Sequence, residues 1–100
     1  MPKGYLIARV DLHDPEGYKA YIAANAAALK KYDARFLVRG GRFDNPEGGH
    51  RARNVVLEFS SYQAALDCWY SPEYQAAIAH RTPFSDGDFL TIEGYDGPQP

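Results

Sequence analysis

The way the hydrophobic period changes along this chain limits its fold more than any other feature. Alternating residues over Tyr5 to Leu12 give way, after Asp14-Pro15-Glu16, to apolar residues at three- and four-residue steps: Tyr18, Tyr21, Ile22, Ala26 and Leu29. Two strand-like runs follow, Arg35 to Arg39 and Asn54 to Phe59. A second helical pattern starts at Ser60-Ser61, and a last strand-like run covers Phe89 to Tyr95. The punctuation agrees with this reading. Asp14 suits an N-cap, Pro15 the first helical position and Glu16 the first turn, while Lys30 and Lys31 suit the last. Gly40-Gly41 stops the second strand, and Asp44 to Gly49 is a loop by its turn chemistry. Ser71-Pro72-Glu73 is a second cap that restarts a short helix through Tyr74, Ala77 and Ile78, ended by Thr82-Pro83. The order β-α-β-β-α-β predicts an α+β, ferredoxin-like fold: a four-stranded antiparallel sheet with its helices on one face.

One hundred residues suit a single domain over residues 1–100, with 96–100 as a loose tail. The formal charge is −2 and acids alternate with bases, which argues against nucleic acid or an anionic membrane as partner. Tyr5 to Leu12 is too short and too charged for a signal peptide or a membrane span. Cys68 is the only cysteine, so no internal disulfide is possible; that usage fits a reducing compartment and makes the cytoplasm the default.

Side chains alternate across a strand, so each strand divides into two faces. One set is apolar throughout: Leu6, Ala8 and Val10; Phe36 and Val38; Val55, Leu57 and Phe59; Leu90 and Ile92. This set is expected under the helices. The other is mixed: Tyr5, Ile7, Arg9 and Asp11; Leu37 and Arg39; Val56 and Glu58; Phe89, Thr91, Glu93 and Tyr95. A face of that composition predicts a partner, and a second copy of the chain is the simplest one. With the first and third strands central, Arg9 and Glu58 are expected side by side, and Arg39 and Glu93 on the outer strands. Two readings of these charges stand. They form either a salt-bridge layer that sets dimer geometry or a polar site for a carboxylate or enolate.

Other candidates carry less. His13, His50 and His80 are scattered and match no metal-ligand spacing, so no metal is expected. The glycine pairs lack phosphate-loop spacing. Cys68, beside Trp69 in a helical pattern, reads as a buried, inert thiol. Asn25 falls on the core side of the first helix between Ile22 and Leu29, where its amide needs partners such as tyrosine hydroxyls or else lines a pocket. Trp69, Tyr70 and Tyr74 would wall any cavity between helices and sheet.

At Arg39-Gly40-Gly41, Val55 to Phe59, Ser71-Pro72-Glu73-Tyr74 with Arg81 following, and Gly87-Asp88-Phe89 to Glu93-Gly94-Tyr95, the chain resembles the family catalogued as domain of unknown function 1330. Asp33-Ala34 stands where that family often has paired glycines, and the Asn45 to Arg53 loop departs from it. The resemblance implies a dimeric α+β barrel, two sheets closing face to face. Its wider superfamily includes cofactor-free monooxygenases, muconolactone isomerase and haem-binding relatives. The family has no established activity, so no catalytic residue carries over. The positions that match it are Arg39, Gly40, Glu58, Ser71, Glu73, Tyr74 and Arg81. Residues and resemblance together lead to a homodimer holding a small carboxylate-bearing or aromatic metabolite, with no cofactor. Arg39, Glu58, Tyr74 and Arg81 are the leading ligand residues, with Arg9 and Trp69 next. Arginines would grip an anion, and Glu58 would serve as base if burial raised its pKa. A non-enzymatic dimer with a purely structural polar network is the alternative.

Overall fold

The strand β1 (Gly4–Leu12) lies at the centre of the sheet because every second residue from Gly4 to Val10 is buried. It pairs with β3 (Arg53–Phe59) on one side and β4 (Ser85–Glu93) on the other; β2 (Arg35–Arg39) adds outside β3. The order is β2-β3-β1-β4, with every neighbouring pair antiparallel. Three helices complete the chain: α1 (Pro15–Lys31), α2 (Tyr62–Trp69) and α3 (Pro72–Arg81), followed by a single 3-10 turn over Thr82–Phe84. This computed structural model describes residues 2–49 and 51–100. His50, one of the scattered histidines, lies outside them. The fold is the expected α+β, ferredoxin-like arrangement. Leu6, Val10, Leu57 and Phe59 of the sheet pack with Tyr21, Ala28, Cys68 and Tyr74 of the helices to form the core. No helix among the described residues is long and apolar enough to cross a membrane.

The helix ends follow the sequence chemistry. The Asp14 carboxylate accepts from the Glu16 amide at 3.1 Å, and Ser61 Oγ from the Ala64 amide at 3.0 Å. Buried Ser71 caps α3 through the Tyr74 amide at 3.1 Å and donates its own proton to the Cys68 carbonyl at 2.7 Å, so one side chain ends α2 and starts α3. At the C-terminus of α1, Asp33 takes φ +54°. The Asp33 and Ala34 amides donate to the Lys30 and Leu29 carbonyls, which makes a Schellman ending on a residue other than glycine.

The register corrects two facing expectations. The strand β4 starts at Ser85, ahead of Phe89, because its polar opening residues pair through backbone with Leu12 to Arg9. Phe89 stands opposite Ala8, so Phe89, Thr91 and Glu93 lie on the helix side. Leu90 and Ile92, opposite Ile7 and Tyr5, are half exposed on the open side (50% and 49%). This inverts the expected assignment. The second correction is in β2. Phe36 opposes Leu57 but Val38 opposes Val56, leaving Leu37 as the extra residue of a β-bulge. Val38 therefore moves to the open side and Arg39, opposite Val55, to the helix side. Arg9 is not beside Glu58: it stands between Asn54 and Asp88, while Glu58 stands between Arg35 and Tyr5.

Candidate functional site

All residues of β2 are exposed. A cleft between α1 and the helix side of the sheet reaches that edge, with about 40 Å³ of space that water can enter. Its walls are apolar, with Leu6, Ala8 and Val55 from the sheet and Ile22 and Leu29 from α1. Its polar groups come from four elements: Tyr18, Tyr21 and Asn25 on α1, Tyr74 on α3, Arg39 on β2 and Arg53 on β3.

The floor is a pair of buried tyrosines, Tyr21 and Tyr74, whose hydroxyls are hydrogen-bonded to each other. Asn25, on the core side of α1, lines the cleft beside them. Burial pushes the Tyr74 phenol well above its ordinary pKa and the neighbouring Tyr21 adds to the shift; nearby Asn25 and the Arg81 charge oppose it. Tyr18 is also raised by burial and by Tyr21, and is pulled down by the nearby Arg53 and Arg81 charges. Both phenols thus stay neutral and able to donate in ordinary buffer, with cations close by.

Behind this floor the Arg81 guanidinium lies 4.0 Å over the Phe89 ring and 5.4 Å from the Tyr21 ring centre. Its Nε is buried and, among the described residues, is the only buried side-chain polar atom without a hydrogen-bond partner. Trp69 stacks at 5.0 Å from Tyr74 and 5.5 Å from Phe89, which closes the aromatic wall. At the mouth, Arg39 lies 4.1 Å over Phe36.

The six residues singled out in the sequence divide between the two sides of the sheet. Arg39 and Tyr74 line the cleft, with Trp69 and Arg81 packed against its aromatic wall. Arg9 and Glu58 are on the open side. Arg9 donates to Asn54 Oδ1 and Asn45 Oδ1, both at 3.0 Å, and Glu58 accepts from the Tyr5 hydroxyl at 3.3 Å. Nearby, Arg51 bridges Asp11 at 3.1 Å and Asp88 at 3.3 Å.

Tyr18, Tyr21 and Arg53 were not singled out. The first two looked like core stripe, and their signal was the hydroxyl itself, since a tyrosine in a core stripe needs a partner. Arg53 fell just before the expected start of its strand. Counting back in twos from Leu57 and Val55 would have put that charge on the buried face. Cys68 is fully buried with its thiol pushed up to about 11 by burial, then by Glu73. Among the described residues no group of His, Cys, Asp and Glu is arranged to hold a metal ion.

Solved structures show the same fold. The RPA0582 protein of unknown function from Rhodopseudomonas palustris is 17% identical, covers 96% of this chain and 85% of its own, and has a TM-score of 0.72. SnoaB, a cofactor-independent oxygenase from Streptomyces nogalater, is 11% identical over 97% of both chains, with a TM-score of 0.63. A dimeric ferredoxin-like protein of unknown function from Thermobifida fusca is 18% identical, covers 92% of this chain and 91% of its own, and has a TM-score of 0.55. No curated protein matches the chain. The family model described as domain of unknown function (DUF1330) matches residues 3–95, and with that span the chain belongs to the DUF1330 family.

Proposed function

We propose that the protein is a small-molecule-binding, enzyme-like domain that works as a homodimer, each copy holding a small carboxylate-bearing or aromatic metabolite in the cleft above Tyr21 and Tyr74. One observation carries the reading: two hydrogen-bonded hydroxyls and an amide line the floor of an open cleft, with the Arg81 charge set behind them. Donors in a low-dielectric site, backed by a fixed positive charge, stabilise negative charge on a ligand oxygen. An enolate or phenolate is the species such a floor favours, and isomerisation and cofactor-free oxygenation both pass through one. Among the described residues that line the cleft, none is Asp, Glu or His. The reading therefore gives these residues the role of holding an anion, and looks to the ligand's own acidity for its formation. The cofactor-independent oxygenase among the similar structures is consistent with this chemistry.

The dimer part of the reading uses the open side. Val38, Val56, Ile7 and Leu90 are successive cross-strand partners and make an apolar row across all four strands. Such a row supports a two-fold partner, as does the dimeric state of the Thermobifida protein. Arg9 and Glu58 are bonded within this face, which favours a structural, interface-setting role for them over a ligand role. The lone cysteine and balanced charge support a cytoplasmic protein without a nucleic-acid partner. Native mass spectrometry on gently purified protein tests both parts. The expected mass is two chains plus a small organic acid, carried through purification or taken up from a panel of enolic and phenolic acids. One chain alone would refute the dimer, and two chains that retain no acid from the panel would refute the ligand.

A further inference from the structure

Two arginines, Arg39 and Arg53, line the cleft, and neither is in an ion pair among the described residues. Arg39 stands opposite Val55, so Arg53, two residues along β3 on the same face, is its diagonal neighbour. Diagonal neighbours in a sheet are about 7–8 Å apart, within reach of long side chains that converge on one group. Neutral groups hold both in place. Arg39 rests on the Phe36 ring. Arg53 lies near the Tyr18 phenol and passes over Gly40, its Nη1 only 2.7 Å from the point where a Cβ would stand. Gly40 also has φ +65°, so the backbone there calls for glycine. The ion pairs among the described residues lie elsewhere: His13 with Asp86, Lys19 with Glu16, Lys31 with Glu73, and Arg51 with Asp11 and Asp88. Among the described residues no carboxylate lines the cleft to neutralise its two arginines.

We infer that Arg39 and Arg53 form a carboxylate-binding fork, and that the ligand is a small planar acid, ionised at neutral pH, held with its carboxylate at the mouth and its second oxygen at the tyrosine floor. Guanidinium groups match a carboxylate through paired, charge-assisted hydrogen bonds, and a site without internal acids leaves that charge for the ligand to balance. The ring surfaces of Phe36 and Tyr18, which line the same cleft, suit an aromatic or conjugated body. The ligand class is therefore a monocyclic hydroxy- or keto-carboxylate. This inference rests on the cleft being a ligand site.

The test is an amide NMR titration of the full chain with matched acid and amide pairs: 4-hydroxybenzoate against 4-hydroxybenzamide, and phenylpyruvate against its amide. The expected result is shifts at Phe36, Gly40 and Tyr21, with the better acid bound roughly tenfold or more tightly than its amide. Arg39→Gln and Arg53→Gln should each remove most of that preference, lowering the acid's affinity far more than the amide's. Arg39 is exposed, so its variant decides the matter even if the Arg53 variant fails to fold. Equal affinity for acid and amide, with shifts in the cleft, would overturn the fork and leave the ligand site standing. Shifts confined to other surfaces, or no binding by either member of any pair, would overturn both.

Discussion

The two sides of the sheet differ in what they leave without a partner. On the helix side the aliphatic residues are buried against the helices, and the groups left over in and behind the cleft are cations: Arg39 and Arg53, in no ion pair among the described residues, and Arg81 with its unbonded Nε. On the open side the polar groups are bonded within the face, Arg9 to two asparagines, Arg51 to two aspartates and Glu58 to a tyrosine. The groups left over there are aliphatic, the row Val38, Val56, Ile7 and Leu90. Unbalanced charge in a cleft asks for a small anion, whereas uncovered aliphatic surface asks for another protein surface. One sheet thus divides its two kinds of recognition between its faces, and the strand register decides which residue serves which.

The largest effect that would break this contrast is at the centre of the open row. Ile7→Asp should weaken self-association at least about a hundredfold, since a dimer would have to bury an unpaired carboxylate. Light scattering should then report one chain, with circular dichroism unchanged. A variant that stays dimeric would show that this face is not the partner face.

On the helix side, Tyr74→Phe removes one hydroxyl of the buried pair and leaves the Tyr21 hydroxyl short of a partner, at a cost of about 1–3 kcal/mol in denaturant unfolding. The same variant sharpens the electrostatic account. Because the folded Tyr74 pKa is raised, its stabilising contribution is fully present below the ordinary phenol value of about 10 and is lost as pH rises above it, when the unfolded chain gives up its proton first. Wild-type stability should fall with pH in that alkaline window, and Tyr74→Phe should flatten the fall, leaving the share due to Tyr18, Cys68, Tyr5 and Lys31, which are raised in the same direction. An unchanged slope would mean that Tyr74 is not the group responsible.

The smallest effect is a control remote from both faces. Asp33→Gly at the end of α1 relieves a left-handed residue and should add about 0.5–1 kcal/mol, read as a higher melting temperature with dimer mass and acid binding unmoved. A loss of stability there would mean that the Asp33 side chain contributes more than its backbone strain costs.

Much of this layout could be read along the chain, and the failures have physical causes. In β1 and β3 the charges Arg9, Asp11 and Glu58 all fall on the parity opposite to Leu6, Val10, Leu57 and Phe59, so their faces followed from parity. In Phe89-Leu90-Thr91-Ile92 either face can be buried at similar cost, and only pairing with β1 decides; hence the inversion of β4. No glycine or proline marks the bulge at Leu37, so an unbroken alternation misplaced Val38 and Arg39. Tyr74, Arg81 and Trp69 stood out because large polar or aromatic groups in short helices demand neighbours. Their neighbours Tyr18 and Tyr21 were hidden in a stripe that reads equally well as packing. Arg9 and Glu58 were correctly placed on one face, but the pairing between them depended on an offset that the sequence leaves open.

The bulge in β2 also bears on how this family can vary. Arg39 is an odd number of steps from Phe36, yet both point the same way because Leu37 is absorbed outside the ladder. A relative whose gene had lost that single codon would have a regular strand with the arginine on the same side. A relative that kept every codon but straightened the strand would turn its arginine to the other side. Conservation scored column by column would flag the first as a change and miss the second, so descent at this edge is better traced by parity than by residue identity.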